Sequence, residues 1–369
     1  MRIVCSAHDL IEGLQVAVRA LPARTTNPVL DGILMETGDG EVMLTCSDER
    51  ITIITRIEAD VMEPGRGVVP GKLFNEVVRR LNNSDIDISM NKNFMFTVRG
   101  AGSRTNLAGQ DAALYPALPN VEEEHRISMP QDMLKDMISK IGFAIAVEDM
   151  REVLTGAYLE IQHGDLTMVG MDGYRMAIRT AKCAEMEDFH AIIPGKAAND
   201  IGKLLSESPN AFVDLSIGRG KLHINLGSTD IYVILLNGNY IQYRNIIPKS
   251  FATKVTVDME PFKKAVDRAA LMAMKGNNNL LAFKIADSKM AVESKSEIGD
   301  VFEELDVFQE GADLNIAFNV RYLIDIVRNV DAEQLTFNFN NSVSPVIVTP
   351  AQDREYIHLI LPVRTAATA

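Results

Sequence analysis

Short apolar strands alternate with amphipathic helices along the chain. A strand at 2–5 leads into a helix that begins with Ser6 and Asp9, the spacing of a capping box. Apolar residues then recur at helical spacing, which predicts a helix with one apolar face. That face consists of Leu10, Leu14, Val18 and Leu21. The strands predicted after this helix are 32–36, 41–45 and 51–55, the first two joined as a hairpin.

Two later helices show comparable signals. Leu134 and Ile138 lie on one face of a helix that follows Pro130, a residue favoured at helix starts. Asp258 is the predicted N-cap of another helix. The apolar face of that helix consists of Phe262, Val266 and Ala269.

An internal repeat organises the sequence. Four features recur 124 positions later in the same register. They are Leu30-Asp31-Gly32 with Leu154-Thr155-Gly156, Asp39-Gly40 with His163-Gly164, Asp48 with Asp172, and Pro70-Gly71-Lys72 with Pro194-Gly195-Lys196. A weaker third copy is marked by Leu280, Asp287-Ser288 and Asn319-Val320-Arg321. The repeat predicts three domains, 1–122, 125–248 and 252–369, each an α+β unit with two helices and antiparallel sheets.

Composition places the chain among ordinary globular proteins. Apolar residues make up 47% and charged residues 24%, which excludes a disordered or collagen-like chain. No apolar run approaches the ~18 residues of a membrane helix, and the N-terminus lacks the pattern of a signal peptide. The three cysteines are widely spaced and odd in number, which argues against a disulfide framework or a zinc site. We therefore expect a cytoplasmic protein.

The net charge of −13 argues against a nucleic-acid ligand, but the positions of the cations argue for one. The second helix of each unit carries two cations seven residues apart, which places both on one helical face. The pairs are Lys72 with Arg79, Lys196 with Lys203, and Arg321 with Arg328. One such pair is typical of a solvated face, whereas three copies in an acidic protein indicate a positive track for a phosphate backbone. Aromatic residues do not interleave with these cations, so a duplex is favoured over a single strand.

No pattern typical of catalysis occurs. The six histidines show no HxxxH spacing, and GxSxG, GxxxxGK[ST] and GxGxxG are absent. Asp48 and Asp172 are repeat-related, which favours a turn or cap over a catalytic pair, and Cys46 is predicted to be a small core residue. We expect no metal, no cofactor and no catalytic residues.

Six segments together resemble the bacterial sliding clamps, the beta subunits of DNA polymerase III. They lie in family order at 24–30, 103–107, 154–156, 172–176, 238–248 and 361–364. The resemblance implies a head-to-tail homodimer whose six domains close into a ring around duplex DNA, with sheets outside and helices inside. It implies a processivity factor that is not an enzyme and that works beside a separate, ATP-hydrolysing clamp loader. A nucleoid-associated protein of replication and repair is the expected setting.

The resemblance also assigns residues. Those expected to face DNA are Arg24, Lys72, Arg79, Lys135, Lys140, Lys196, Lys203, Arg321 and Arg328. A hydrophobic pocket for short peptide motifs of the polymerase III alpha subunit, the clamp loader, ligase and repair polymerases is implied at Leu154, Met171, Gly173, Tyr174, Arg175, Met176, Ile241, Asn245, Ile246, Val343, Pro345, Leu359, Ile360, Leu361, Pro362 and Val363. The implied dimer interface contains Leu107, Leu271 and Met272.

The chain departs from the family at four places. Ile241 and Asn245 stand where members often have Pro and Arg, and Thr105 stands where some have an aromatic residue. A tail at 365–369 extends past the last motif. Two other hypotheses remain open on the sequence. One is a paralogue that keeps the fold as a monomeric or non-encircling scaffold for repair proteins, favoured by Thr105, and the other is an enzyme that uses Asp48 or Asp172.

Overall fold

A computed structural model of the chain describes residues 1–81, 85–183, 187–208, 210–276 and 279–365. Within these ranges the chain forms six α-helices and 26 strands. No helix among the described residues is long and apolar enough to cross a membrane.

The elements fall into three successive sets. The first contains β1 Arg2–Ser6, α1 Ala7–Ala17, β2 Gly32–Thr37, β3 Glu41–Ser47, β4 Ile51–Glu58, β5 Asp60–Glu63, β6 Arg66–Pro70, α2 Gly71–Arg79, β7 Asp85–Met90, β8 Met95–Gly100 and β9 Ser103–Ala108. The second contains β10 His125–Pro130, α3 Gln131–Gly142, β11 Gly156–Gln162, β12 Asp165–Met171, β13 Arg175–Lys182, β14 Phe189–Pro194, α4 Gly195–Leu204, β15 Phe212–Gly218, β16 Lys221–Asn225 and β17 Thr229–Ile234. The third contains β18 Thr253–Asp258, α5 Met259–Ala273, β19 Leu280–Ala286, β20 Lys289–Ser296, β21 Gly299–Asp306, β22 Phe308–Gly311, β23 Leu314–Asn319, α6 Val320–Asn329, β24 Gln334–Phe339, β25 Val346–Pro350 and β26 Tyr356–Ile360.

The chain divides into two units. The first comprises Met1–Asp132 and Lys203–Leu235. It contains a five-stranded sheet in the order β5-β1-β7-β8-β9 and an eight-stranded sheet in the order β10-β15-β16-β17-β4-β3-β2-β6. The eight-stranded sheet is continuous across two repeats, because β17 of the second pairs with β4 of the first.

The second unit comprises Met133–Gly202 and the chain from Leu236 onward. Its nine-stranded sheet has the order β14-β11-β12-β13-β26-β25-β24-β18-β22, and its four-stranded sheet the order β21-β20-β19-β23. Here β26 of the third repeat pairs with β13 of the second. The predicted α+β class with two helices per repeat and antiparallel sheets is therefore confirmed.

The repeat is also visible in the chain's tightest contacts. Gly71 and Gly195 begin α2 and α4, as the Pro-Gly-Lys motifs predict. A Cβ atom on Gly71 would lie 2.9 Å from the carbonyl oxygen of Asp31, and one on Gly195 would lie 2.8 Å from that of Thr155. Since both approaches are too close for a side chain, glycine is required at the same place in both copies.

The start of α1 is predicted in part. Ser6 is its N-cap, with the side chain accepting a hydrogen bond from the His8 amide at 3.2 Å. Asp9 returns no bond within the described chain, so the capping box is incomplete. The helix ends at Ala17 and tightens into a 3₁₀ turn at Val18–Ala20. Leu10 and Leu14 are therefore fully buried, while Val18 and Leu21 are only half-buried.

The predicted N-cap position of Asp258 is confirmed, but its side chain forms a different hydrogen bond from a capping one. Asp258 occupies the N-cap position of α5, but its side chain makes no capping bond. It accepts a hydrogen bond from Gln334 Nε2 at 2.8 Å, from the neighbouring strand β24. A partner remote in sequence has displaced the local cap.

A buried histidine lies in the core of the second unit. His358 on β26 is 1% exposed, and neither ring nitrogen has a hydrogen-bond partner among the described residues. Its ring lies 5.8 Å from Phe143 and 4.2 Å from Tyr356, measured between ring centroids. Burial, with the nearby Lys140 charge, lowers the pKa of His358 from 6.5 to about 3. The imidazole is therefore neutral in the folded protein near neutral pH.

Replacing His358 should reduce the loss of stability that the protein shows below pH 6.5. The unfolded chain takes up a proton near pH 6.5, while the folded chain does so only near pH 3, so the free energy of unfolding falls as the pH drops below 6.5. This dependence amounts to about 1.4 kcal/mol per pH unit. Between pH 6.5 and 5, the free energy of unfolding of His358→Phe should therefore fall by about 2 kcal/mol less than that of the parent chain, as measured by urea unfolding. His8→Gln, on an exposed helix face, is the control. Equal losses in parent and His358→Phe would contradict the assignment.

Candidate functional site

The three predicted pairs of cations lie on the solvent faces of α2, α4 and α6. All six side chains are exposed. The opposite faces are apolar and buried, for example Phe74 and Val78 on α2 and Leu323 and Val327 on α6. Within the described chain, Lys72, Arg79, Arg321 and Arg328 lie within 4 Å of no carboxylate. These four charges are therefore not neutralised by internal ion pairs.

The other predicted cations occupy different settings. Arg24 is exposed and lines an open cavity together with Asp48 and Glu49. Lys135 and Lys140 on α3 are half-buried. Lys140 Nζ donates to the carbonyl oxygen of Asn329 at 2.6 Å, at the C-terminal end of α6. A cation there stabilises the helix dipole, so Lys140 has a structural partner that its position in the sequence did not predict.

Seven of the sixteen residues expected to form the peptide pocket lie in the second unit's apolar cluster, which we call the docking cluster. It contains Leu154, Met171, Met176, Ile241, Ile246, Leu359 and Leu361, with Tyr158, Tyr240 and Tyr243. Of the expected residues, Leu154, Met171, Met176, Leu359 and Ile360 are buried, Arg175, Ile241, Ile246, Pro345, Leu361, Pro362 and Val363 are half-buried, and Gly173, Tyr174, Asn245 and Val343 are exposed.

The cluster has an open rim because some of its neighbours remain in solvent. Tyr174, two residues before Met176 in sequence, is 63% exposed, and Val343 is 43% exposed. Exposed apolar side chains beside a cluster of Met and Leu are typical of surfaces that accept other proteins.

Three tyrosines and one glutamate fix the segment that carries Ile241 and Ile246. The rings of Tyr158 and Tyr240 stack with centroids 4.6 Å apart. Glu160 on β11 accepts the Tyr243 hydroxyl at 3.0 Å and lies 2.6 Å from the guanidinium of Arg244. Burial, followed by the Glu160 charge, raises the pKa of Tyr243, so its hydroxyl stays a donor. Glu160 carries no sequence signal that would have predicted this role.

Main-chain hydrogen bonds hold the C-terminal segment in place. The amide of Leu361 donates to the carbonyl of Tyr174 at 2.9 Å, and that of Val363 donates to Ala317 at 2.8 Å. On β26, Leu359 pairs with Met176 and points into the docking cluster, whereas its neighbour Ile360 belongs to the separate core of the third repeat. Because alternate strand residues face opposite sides, Leu359 and Ile360 contact different cores, and the pocket role of Ile360 stays a prediction. Residues 366–369 of the tail lie outside the described residues.

Arg175 is occupied by contacts inside the chain. Its guanidinium pairs with Asp172 at 2.9 Å and with Asp325 on α6, and it donates to the carbonyl of Phe143 at 2.7 Å. It also lies 4.8 Å from the centre of the Tyr322 ring. Arg175 therefore ties β13 to α6 and supports the docking cluster from outside its apolar lining.

Asp48 and Asp172 act as turn residues, as the repeat predicts. Asp48 Oδ1 accepts the amides of Arg50 and Ile51 at 3.1 and 2.8 Å. Asp172 Oδ1 accepts the amides of Tyr174 and Arg175, both at 3.0 Å. Cys46 is fully buried, in line with its predicted core role, and burial raises the pKa of its thiol. In the part of the chain that the structure describes, no group of three or more His, Cys, Asp or Glu side chains could hold a metal ion.

The residues expected at a dimer interface differ in exposure. Leu271 on α5 is 65% exposed and Met272 is half-buried. Leu107 on β9 is only 4% exposed, because it is turned into the core of its own unit. The expectation that Leu107 belongs to a dimer interface stays a prediction. The outward residues of this strand include Arg104 and Asn106.

The fold is a set of antiparallel sheets that carry two exposed surfaces, the cationic helix faces and the docking cluster. Such an arrangement is typical of a binding protein. Three models of the DNA polymerase III beta subunit match the chain, the N-terminal domain at residues 1–119, the central domain at 128–242 and the C-terminal domain at 244–364. The beta sliding clamp of Bacillus subtilis (strain 168) is 32% identical over 378 residues, which cover 99% of this chain and all of that protein. That of Staphylococcus aureus is 32% identical over 376 residues at the same coverage.

Solved structures agree with these sequence matches. The DNA polymerase sliding clamp from Bacillus subtilis superposes with a TM-score of 0.95 at 30% identity, covering 99% of both chains. The beta subunit from the DNA polymerase of Streptococcus pyogenes superposes with a TM-score of 0.93 at 25% identity, covering 99% of this chain and all of that one. The chain belongs to the family of bacterial beta sliding clamps, the beta subunits of DNA polymerase III. It is a clamp of DNA replication and not an enzyme.

Proposed function

We propose that two copies of the chain pair head to tail, so that six domains close a ring around duplex DNA and tether the replicative polymerase to it. One observation carries this proposal: β9 and β21 are counterparts of strands that pair between repeats, but in the described chain both lie at the edges of their sheets without such a partner. The domains are proposed at 1–122, 125–248 and 252–369, and the three family matches support their number and order.

The repeat identifies these strands by position. β4, β13 and β21 span 51–58, 175–182 and 299–306, so they follow one another at intervals of 124 residues. β4 pairs with β17, and β13 pairs with β26, each in the following repeat. β21 is the edge of its sheet, and so is β9, which by position corresponds to β17 and β26. Pairing β21 of one copy with β9 of the other satisfies both exposed edges.

Charge and apolar area support the same pairing. β21 carries four carboxylates. Glu303 and Glu304 pair with Arg268 and Lys289 inside the chain, which leaves Asp300 and Asp306, whereas β9 carries the exposed Arg104. Near β21, Leu271, Ile298 and Phe302 are 65%, 72% and 59% exposed. Apolar side chains at a sheet edge are an aggregation hazard unless a partner covers them, and opposite charges on the two edges select the partner.

The cationic helices supply the proposed DNA contact. Lys72, Arg79, Arg321 and Arg328 carry charge without an internal carboxylate, and long side chains on a helix face reach phosphates without reading bases. Arg24, Lys135, Lys140, Lys196 and Lys203 complete the proposed set, and Lys140 in addition donates to the carbonyl of Asn329 at the end of α6. Weak, screened contacts of this kind suit a protein that slides, because enclosure and not affinity retains it.

The docking cluster is the proposed site for short peptide motifs of the polymerase III alpha subunit, the clamp loader, ligase and repair polymerases. Its Met and Leu lining adapts to different side chains, and the fixed segments at 240–246 and 359–363 give it a defined shape. The free cysteines Cys5, Cys46 and Cys183 support the further proposal of a reducing cytoplasm, close to nucleoid DNA.

Retention on DNA should depend on topology. The protein is loaded with a clamp loader and ATP onto nicked circular duplex, separated on a sizing column, and the circle is then cut once. We expect the protein to remain on the circle and to leave after the cut, because an open end releases a ring. Equal retention on circular and linear DNA would contradict enclosure and favour a scaffold with ordinary DNA affinity.

Reversing one pair of helix charges should weaken the DNA contact without opening the dimer. Lys72→Glu with Arg79→Glu should lower the affinity for a short duplex at low salt, and the slope of log affinity against log salt should fall by about 0.9 for each lost contact. Fluorescence anisotropy across a salt series measures both. Lys92→Glu with Lys254→Glu, exposed cations on a turn and a strand, makes the same change in net charge. If both double variants behave alike, the helices are not the contact.

A charge placed on the α5 surface should separate the proposed dimer. Leu271→Asp puts a carboxylate into an apolar contact and is expected to give monomers in sedimentation velocity, since an unpaired buried charge costs several kcal/mol. Because Leu271 is 65% exposed in the single chain, the monomer should stay folded by circular dichroism. Met62→Asp, at a residue 61% exposed on β5, is the control. A normal dimer mass for Leu271→Asp would place the interface elsewhere.

A further inference from the structure

The first unit contains a second cavity that the function described above does not use. Its volume is about 360 Å³, and its lining is more apolar than polar. The residues that define it are Arg50, Thr52, Leu118, Lys221, Tyr232 and Ile234. A volume of this size holds two or three side chains, within the range of known binding pockets.

The backbone of this cavity repeats that of the docking cluster. Thr52 on β4 pairs with Tyr232 on β17, as Met176 on β13 pairs with Leu359 on β26. Just beyond these pairs, the amide of Ile234 donates to the carbonyl of Arg50 at 2.9 Å. The amide of Leu361 makes the equivalent bond to Tyr174, also at 2.9 Å. The two strand junctions therefore have the same register and the same terminal hydrogen bond.

The turn beside each junction matches as well. Glu49 has a φ of 71° and Gly173, 124 residues later, has a φ of 86°. A non-glycine residue rarely adopts this conformation, so keeping it at Glu49 indicates that the turn geometry is fixed by the fold. Asp48 and Asp172 cap these two turns with the same side-chain oxygen.

The linker at 116–120 forms one wall of the cavity. It corresponds to the segment at 240–244, which borders the docking cluster and lies 124 residues later. Pro116 and Pro119 restrict the backbone on either side of Leu118, which is 43% exposed. Ile234, on the opposite wall, is 49% exposed. Two aliphatic side chains are thus held open to solvent by a restrained backbone, which lowers the entropy lost on binding.

The remaining wall is rigid. The Tyr232 ring stacks on His223 with centroids 4.5 Å apart, and His223 Nε2 lies 2.8 Å from Asp230. Burial opposes ionisation of Asp230, but hydrogen bonds from Asn225, Arg56 and His223 outweigh it and lower the pKa of the carboxyl. The charged network therefore persists at neutral pH and fixes the orientation of the Tyr232 ring.

Charge selects the occupant. Lys221 Nζ donates to the carbonyl of Asn120 at 3.3 Å, and within the described residues no carboxylate lies within 4 Å of it. Lys221 and Arg50 contribute two positive charges to the cavity lining and Glu49 contributes one negative charge, so the lining has a net charge of +1. We propose that this cavity is a second docking site, for an extended peptide that inserts an aliphatic or aromatic side chain between Leu118 and Ile234 and places an acidic residue beside Lys221. The choice of a peptide rests on the proposed role of the docking cluster.

Methyl NMR of the full chain, labelled at Ile, Leu and Val, tests this site separately from the first. The probe is the blocked pentapeptide Ala-Leu-Phe-Asp-Ala, and the comparison peptide has Lys in place of Asp. We expect the methyl signals of Leu118 and Ile234 to shift in the parent chain and in Leu361→Glu. In Ile234→Glu, which lacks the Ile234 methyl groups, the Leu118 signal should no longer shift. Met62→Glu, an exposed residue on β5, should behave as the parent.

The charge requirement has its own variant. The Asp peptide should bind this site about threefold more tightly than the Lys peptide, the size of an exposed ion pair, and Lys221→Ala should remove the difference. Shifts at Leu361 without shifts at Leu118 and Ile234 would overturn the second site and leave the proposed function intact. An absence of shifts at both sites would overturn the second site and also weigh against the docking cluster. Equal binding of both peptides to the parent would overturn the assigned chemistry.

Discussion

The antiparallel pairing of strands between successive repeats is the interaction on which the rest of the structure depends. A repeat of this kind leaves sheet edges, and an unpaired edge exposes main-chain donors and acceptors that another strand will satisfy. β4 with β17 and β13 with β26 satisfy two such edges inside the chain. Because side chains alternate along a strand, a shift of one residue in either pair would exchange its buried and exposed faces. The register therefore determines which side chains each junction presents to solvent.

The same pairing explains why two surfaces share one backbone and differ in chemistry. At the junction of β13 and β26 the side chains include Met171, Met176 and Leu359, and the result is a wide apolar cluster. At the junction of β4 and β17 the equivalent positions hold Ser47, Thr52 and Tyr232, and the result is a smaller cavity with a positive rim. Main-chain hydrogen bonds set the position of a site, while substitution of a few side chains sets what it accepts.

Features encoded by neighbouring residues could be predicted from the sequence. The Pro-Gly-Lys helix starts, the turns at Asp48 and Asp172 and the solvent faces of the cationic helices depend on short-range geometry and appear more than once. Features that depend on distant partners could not. Asp258 bonds to Gln334, Lys140 to Asn329 and Arg175 to Asp325, and no periodicity indicates such pairs. The orientations of Leu107 and Ile360 depend on strand register, and an error of one residue in the register reverses them.

The distribution of ion pairs resolves the contrast between an acidic chain and a cationic track. Many cations on the sheets are paired: Arg56 lies 2.7 Å from Asp230, Arg126 lies 3.1 Å from Asp214 and Lys284 lies 2.8 Å from Glu293. On α2 and α6 the cations have no such partner within the described chain. Since screening reduces the field of distant charges beyond ~10 Å, a phosphate near these helices responds to the local cations more than to the net charge of −13. Local pairing, and not total charge, is therefore the property that supports the proposed DNA-contacting surface.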